Sequence, residues 1–151
     1  MNELLSCDTM VALGNSTKSG NVIFAKNSDR PLGESQPLCL FEAKDYPDQE
    51  LLSCTYISIP QVSRTYKVLG SKPYWIWGFE HGMNEWGVAI GNEAVWSREE
   101  EERENGLLGM DLVRLGLCLL YTSRAVQCVV RPHPSPHLQG ICPDDLFPAA
   151  D

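Results

Sequence analysis

The first two thirds of the chain consist of short segments with the two-residue period that is typical of β-strands, separated by turns. Alternate residues from Cys7 to Leu13 form one face of a predicted strand, and the residues between them form the other. A polar turn at residues 14–21 and a second strand at residues 22–25 then predict a β-hairpin with a long loop. Further strands, punctuated by proline and glycine, are predicted at residues 38–41, 55–59, 65–69, 74–77, 87–90 and 94–96.

The period changes to that of a helix near residue 107 and is then lost. Residues 107–120 carry an apolar stripe at helical spacing, formed by four leucines: Leu108, Leu112, Leu115 and Leu119. Residues 131–151 hold five of the ten prolines and two of the three histidines of the chain. Because this composition does not favour a packed core, we expect the residues from 118 onward to be disordered, or to be frame-shifted, chimeric or alternatively spliced sequence.

Length and charge narrow the classes of protein to which the chain can belong. Its 151 residues, of which 43% are apolar and 21% charged, are typical of one globular domain. A net charge of −8 argues against a nucleic acid or an anionic membrane surface as partner. No apolar run approaches the ~20 residues that span a bilayer, and residues 1–10 lack the basic flank of a secretory signal. We therefore expect a cytoplasmic protein with reduced thiols and no integral membrane segment.

Cys7 is the first candidate for chemistry, because it lies close to the N-terminus at the start of the first predicted strand. If residues 1–6 were removed, Cys7 would carry a thiol and an α-amino group on one residue. The ordinary pKa values of these groups, about 8.5 and about 7.7–8.0, are close enough for the amine to accept the thiol proton. The thiol would then be a nucleophile with its own general base. The alternative is that Cys7 is a small buried strand residue.

The sequence KNSD, from Lys26 to Asp29, directly follows the second predicted strand. In a hairpin the end of the second strand returns to the start of the first. Asp29 could therefore orient the amine of Cys7, and Lys26 could stabilise its thiolate. An ordinary Asn-Ser-Asp turn beside a surface lysine explains the same residues equally simply.

Two Asn-Glu pairs flank a short apolar strand within residues 82–96. Asn92 follows the strand predicted at residues 87–90, and an amide at a strand end can donate a hydrogen bond to a developing oxyanion. Asn84 precedes that strand and is interpreted as its turn residue. Hairpin turn chemistry is the alternative explanation for both asparagines.

The remaining cysteines and histidines do not predict a metal site. Zinc can be bound by two cysteines and two histidines, and the end of the chain holds such a set: Cys128, His133, His137 and Cys142. Prolines lie beside both histidines and no CxxC pair is present, so we expect neither zinc nor any other cofactor. Three further cysteines lie among apolar residues and are expected to be core thiols: Cys39, Cys54 and Cys118.

Four blocks of sequence, in one order along the chain, carry a family resemblance. They read CDTMVAL, VIFAKNSDRP, WIWGFEHGMNEWGVAIGNEAVW and GLLGMDLVRLGL. Over about residues 6–117 the chain resembles the secernins, a dipeptidase-like family of N-terminal nucleophile hydrolases. The resemblance implies an α+β fold, an αββα sandwich of which this chain holds only the N-terminal part. It divides the chain into a propeptide at residues 1–6, a family domain at residues 7–117 and a non-family tail at residues 118–151.

The resemblance also implies a cysteine amide hydrolase that cleaves short peptides. It assigns the nucleophile to Cys7, exposed by autocatalytic removal of the propeptide, and it places Asp29 near the amine and Asn92 beside the oxyanion. Lys26 stands where related cysteine amidases have arginine. The lysine keeps the positive charge but lacks the two-pronged hydrogen-bonding geometry of the guanidinium. The family also has a role in regulated exocytosis and is several hundred residues long. The alternatives are therefore a non-catalytic regulator with partners in the secretory machinery, and an inactive fragment.

Overall fold

The computed structural model describes residues 7–94 and 105–121, and the backbone alone of residues 126–130. The expected propeptide at residues 1–6 and most of the expected tail lie outside the described residues. The strands are β1 (Cys7–Ala12), β2 (Ile23–Ser28), β3 (Leu38–Phe41), β4 (Lys44–Asp45), β5 (Leu51–Ser53), β6 (Ser58–Pro60), β7 (Arg64–Thr65), β8 (Val68–Ser71), β9 (His81–Asn84), β10 (Ala89–Ala94) and β11 (Val126–Val130). A short 3-10 turn covers Gly14–Ser16, and the helix α1 covers Gly109–Leu119.

A five-stranded sheet in the order β11-β10-β9-β8-β3 forms the centre of the described structure. Its neighbouring strands are antiparallel, except that β10 and β11 run parallel. The strands β1 and β2 form a separate antiparallel hairpin, in which Cys7 lies opposite Ser28. Two smaller antiparallel pairs, β4 with β7 and β5 with β6, lie between β3 and β8 in sequence.

The hairpin and the helix pack on opposite faces of the five-stranded sheet. A Cβ atom placed on Gly91 would lie 2.6 Å from the ring of Phe24, so this face of β10 is in close contact with the hairpin. The neighbouring residue Ile90 lies against Gly116 of α1. Because consecutive residues of a strand point to opposite faces, the described elements form three layers: hairpin, sheet and helix.

The apolar core lies between the sheet and α1. Phe41 packs against this core. The core itself is formed by seven buried residues: Val68, Phe79, Val88, Ile90, Val113, Leu117 and Cys118. Burial of one large apolar side chain contributes about 1.5–3 kcal/mol, so this cluster is the main source of stability for the helix–sheet contact. Cys118 is the one of the three expected core thiols that is buried, whereas Cys39 and Cys54 are half-buried.

Polar side chains hold both ends of α1. At its N-terminus the buried carboxylate of Asp111 accepts hydrogen bonds from the backbone N–H of Leu108 (3.0 Å) and from the hydroxyl of Thr55 (2.7 Å). At its C-terminus the Asn84 amide donates to the carbonyls of Leu117 (2.9 Å) and Leu120 (2.6 Å). Since helix ends leave unpaired backbone groups, these contacts fix the helix against the connection that carries Thr55 and the strand β9 that carries Asn84.

The structure corrects the predicted bounds of two strands that position the site. β2 runs to Ser28 rather than ending at residue 25, because the pairing with β1 continues through Lys26 opposite Thr9. β10 runs from Ala89 to Ala94 across the gap between the strands predicted at residues 87–90 and 94–96, so Asn92 lies within a strand and not at its end. Residues 95 and 96 of the second predicted strand lie outside the described residues. Gly91, between the two predicted strands, is the point where Phe24 packs onto β10.

Other predicted strands are divided or replaced by turns. Residues 74–77 form turns, in which the Ile76 N–H donates to the Pro73 carbonyl and the Trp77 N–H donates to the Thr55 hydroxyl. Most of residues 55–59 form the connection between β5 and β6, and residues 65–69 are split between β7 and β8. Aromatic and β-branched residues favour strands, but here no neighbouring strand supplies the ladder.

The structure also describes part of the segment that begins at residue 118. α1 extends to Leu119, and Val126–Val130 form the strand β11 beside β10.

Among the described residues, no helix has both the length and the apolar character needed to cross a bilayer.

Candidate functional site

The inner face of the hairpin carries the first group of candidate residues. Cys7 and Thr9 lie opposite Ser28 and Lys26 in the register of β1 and β2. These four residues are half-buried, whereas their neighbours in the same strands are exposed. Because residues two apart on a strand share a face, Cys7 and Lys26 lie on the side of the hairpin that packs against the sheet.

Lys26 and Glu80 form a buried ion pair between the hairpin and the sheet. The Lys26 Nζ lies 3.8 Å from Glu80 Oε2, and the two side chains are 0% and 1% exposed. The Lys26 side chain reaches this position across the face of β10, where it passes close to Gly91. A buried ammonium is costly unless it is paired, so Glu80 is what permits a lysine at this position.

Glu80 also joins Lys26 to a second cation and a second carboxylate. Arg30 Nη1 lies 3.4 Å from Glu80 Oε1, and Arg30 Nη2 lies 2.7 Å from Glu34 Oε1. Glu34 Oε1 additionally accepts a hydrogen bond of 3.2 Å from the indole of Trp75, over which the Arg30 guanidinium lies. The segment that follows β2 is therefore held against the start of β9 by alternating charges.

Asn92 is the next residue of the same network. Its backbone N–H donates to the carbonyl of Glu80 (2.7 Å), and its side-chain amide donates to Glu80 Oε2 at 3.4 Å. The same amide group lies 3.4 Å from the sulfur of Met110. Glu80 thus contacts both Lys26 and Asn92, two of the residues that the sequence predicts for the site.

Asp29 lies at the end of the hairpin where Cys7 lies, because it follows Ser28, the register partner of Cys7. Its side chain is exposed, and one carboxylate oxygen accepts a hydrogen bond of 3.3 Å from the amide of Asn27. The carboxylate is therefore near the start of β1 and outside the buried Lys26–Glu80 pair.

His81 adds a titratable group to the hairpin side of the sheet. It lies opposite Gly91 in the register of β9 and β10, and it is half-buried. Burial lowers the pKa of His81 below its ordinary value, and the positive charge of Lys26 lowers it further. The imidazole is therefore neutral at pH 7, with one ring nitrogen able to accept a proton.

Buried polar atoms without a hydrogen bond are concentrated in this cluster. Within the part of the chain that the structure describes, seven buried side-chain nitrogen or oxygen atoms make no hydrogen bond. Six belong to residues of the cluster: Lys26 Nζ, Ser28 Oγ, Glu80 Oε1, His81 Nδ1, Asn92 Oδ1 and Glu93 Oε1. Such groups are rare in folded proteins because each costs about 1–3 kcal/mol, and a cluster of them is typical of a site built for a ligand or a reaction.

The residue that connects this cluster, Glu80, is not among the site residues that the sequence predicts. Glu80 is a single carboxylate in the aromatic run WIWGFEH, which is the one local signal that it is buried with a partner. Arg30 and Glu34, four residues apart, could have been predicted as an ion pair, although nothing local joins them to Glu80. His81 and Glu93 carried no sequence signal that separates them from ordinary strand residues.

No metal centre is evident in the described ranges, which contain no group of three or more His, Cys, Asp or Glu residues that could hold an ion. Of the four residues considered for zinc, His133, His137 and Cys142 lie outside the described residues, and for Cys128 the structure describes the backbone alone.

No known family model matches the chain, and no solved structure matches it.

Proposed function

We propose that the cluster around Lys26 and Glu80 is the active site of a secernin-like amide hydrolase, with Cys7 as its nucleophile. The observation that supports this most directly is the concentration of buried polar atoms without hydrogen bonds around the Lys26–Glu80 pair. Cys7 lies on the hairpin face that packs there, two register positions from the buried cation Lys26. A polar, under-bonded cluster beside a thiol favours chemistry over a purely structural role.

The proposed reaction begins with removal of residues 1–6, which gives Cys7 a free α-amine. The amine takes the thiol proton, and the thiolate attacks the carbonyl carbon of a short peptide. The C–N bond then breaks, the leaving amine receives the proton, and a thioester remains on Cys7. Water attacks this thioester and releases the acid, which returns the thiol. No cofactor is required for these steps.

The charged neighbours have separate roles in this mechanism. The ammonium of Lys26 stabilises the thiolate and the negative charge that develops on the carbonyl oxygen. The Asn92 amide donates a hydrogen bond to the same oxygen, after exchanging its long contact to Glu80 for the new one. Asp29, at the Cys7 end of the hairpin, orients the freed amine. Glu80 holds Lys26 and Asn92 in place and is a positioning residue.

A second candidate is a non-catalytic protein with the same fold, with partners in the secretory machinery. The position of Asn92 favours it, because both polar contacts of the amide nitrogen are within the protein, to Glu80 and Met110. A cytoplasmic location is part of both proposals.

The deciding experiment measures the N-terminus, the thiols and the activity of the same sample. Intact-mass analysis of the full chain is expected to show loss of residues 1–6 and one rapidly alkylated cysteine. Hydrolysis of a panel of unmodified dipeptides should fall at least about 1,000-fold in Cys7→Ala. Cys39→Ala is the matched control, because Cys39 is also half-buried and lies in β3, away from the cluster.

An intact N-terminus with a slowly reacting Cys7 would contradict the enzyme and leave the non-catalytic candidate. Undiminished hydrolysis in Cys7→Ala would contradict the assigned nucleophile.

A further inference from the structure

A cavity lies beside the helix α1, away from the cluster around Lys26. It has a volume of about 660 Å³ and shares no lining residue with the proposed active site. Four aromatic side chains and the guanidinium-bearing Arg114 of α1 line it: Phe41, Tyr46, Tyr66 and Trp77. This size and this mixture of aromatic walls with a few charged groups are typical of small-molecule sites. We refer to it as the Arg114 cavity.

Arg114 carries a half-buried charge that forms no ion pair among the described residues. Its guanidinium carbon lies 3.9 Å from the ring centre of Phe41 and 4.4 Å from that of Trp77. Nη1 donates a hydrogen bond of 2.6 Å to the Trp77 carbonyl, and Nε makes none. The ion pairs of the described residues do not include Arg114. Burial lowers the pKa of Arg114, although an arginine remains charged at neutral pH.

The other charged residues of the Arg114 cavity do not cancel this charge. Glu42 lines the cavity, but its carboxylate is already paired with Lys67 at 2.8 Å. Lys44 adds a second cation, with its ammonium 4.7 Å from the centre of the Tyr46 ring. The cavity is therefore locally positive in a chain whose net charge is −8. A guanidinium without a carboxylate partner binds carboxylates well when it is shielded from water, because its planar donors match the two carboxylate oxygens.

We propose that the Arg114 cavity binds a small aromatic carboxylate. The carboxylate pairs with the Arg114 guanidinium, and the ring of the ligand packs among Tyr46, Tyr66 and Trp77. Rings prefer offset or edge-to-face contacts with one another, and a wall of aromatic side chains offers these without requiring polar groups. The site is independent of Cys7 and of the proposed hydrolysis.

The test compares three ligands of one shape by isothermal titration calorimetry with the full chain. 2-Naphthoate carries the carboxylate, 2-naphthamide is its neutral counterpart, and 2-naphthylmethylamine is a cation. We expect 2-naphthoate to bind one site at least about tenfold more tightly than either of the others. Equal affinity for 2-naphthoate and 2-naphthamide, or no binding of 2-naphthoate, would overturn the proposal.

Two variants locate the binding site. Arg114→Gln should weaken 2-naphthoate at least about tenfold and leave 2-naphthamide unchanged. Because Arg114→Gln removes contacts to three rings and could fail to fold, Val62→Trp gives a second test by filling the cavity from its rim. Val62→Trp should abolish the binding of 2-naphthoate. Val22→Trp is the control: Val22 lines a separate groove beside the hairpin, so this variant should bind 2-naphthoate like the unmodified chain. Binding that survives Val62→Trp would place the ligand elsewhere.

Discussion

The same dipeptide, Asn-Glu, occurs twice around β10, and the two asparagines have opposite structural characters. Asn84 and Asn92 are both buried, at 4% and 7% exposure. The Asn84 amide donates to two carbonyls at the end of α1, and its oxygen accepts from the backbone N–H groups of Trp86 and Val88. The Asn92 amide makes two long contacts, and its oxygen makes none among the described residues.

The same difference separates Asp111, at the N-terminus of α1, from the cluster around Lys26. On the helix side, the buried Asp111 has a hydrogen bond on each carboxylate oxygen, at 2.7 and 3.0 Å. In the cluster around Lys26, Glu80 holds two cations at 3.8 and 3.4 Å, and Oε1 makes no hydrogen bond. A polar group that is fully satisfied stabilises the fold, whereas one that is incompletely satisfied is available to a substrate. The comparison therefore assigns Asn84 and Asp111 to structure, and Asn92 and Glu80 to the proposed site.

The largest expected effect follows from removing the charge of Glu80. Glu80→Gln leaves the buried Lys26 ammonium without its counter-ion, and we expect a loss of about 3–5 kcal/mol in the free energy of unfolding. The double variant Lys26→Met with Glu80→Gln removes both charges and should recover much of that loss. Denaturant unfolding of the two single variants and the double variant measures the coupling.

The control for this cycle is the exposed ion pair between Arg64 and Asp45, whose side chains are 66% and 77% exposed. Asp45→Asn should change stability by less than about 1 kcal/mol. If Glu80→Gln were as mild as Asp45→Asn, the buried ion pair would have no energetic importance, and the contrast between Asp111 and the cluster around Lys26 would fail.

The next effect separates the two asparagines. Asn84→Ala removes the acceptor of two N–H groups and the donor to two helix-end carbonyls, and it should cost about 2–4 kcal/mol of stability. Asn92→Ala should cost about 1 kcal/mol or less, because the contacts that it removes are long. Thermal and denaturant unfolding of both variants gives the comparison directly. Equal losses would show that Asn92 is as structural as Asn84.

The hairpin and the core strands could be predicted because their signals are local. Alternation around Cys7, the polar loop and the Gly-Asn turn define the hairpin within a short stretch of chain. Lys26 and Asn92 can be predicted as site residues for the same reason, since each lies at or near the end of an apolar run. The turns at residues 74–77 were missed because strand propensity does not report whether a neighbouring strand is present.

The buried charges could not be predicted, because they depend on contacts between distant parts of the chain. Glu80 meets Lys26 only after the hairpin has packed on β10 and β9 has paired with β10. Register decides this, and a shift of one residue would send Glu80 to the other face. The two asparagines show the same limit: their local sequences are alike, and only the end of α1 distinguishes Asn84 from Asn92.

The smallest expected effect is a pH dependence that originates on the hairpin side of the sheet. Burial, and then the charge of Lys26, lower the pKa of His81 in the folded state below its ordinary value of 6.5. The unfolded chain therefore binds the proton more tightly than the folded chain. The contribution of neutral His81 to stability is complete above the unfolded pKa and is lost as the pH falls through the folded pKa. Denaturant unfolding at a series of pH values from about 7.5 to 5 should show this decline, before most carboxylates titrate.

Two variants identify His81 as its source and Lys26 as a contributor. His81→Asn removes the titrating group, so its stability should vary less with pH over this range. Lys26→Met keeps the imidazole and removes the neighbouring charge, so the total decline should be smaller and should end closer to the ordinary pKa. Asp111→Asn, on the helix side, should shift stability at every pH and leave the slope near pH 6 unchanged. A slope that is unaffected in His81→Asn would mean that this side of the sheet does not respond to pH through its histidine.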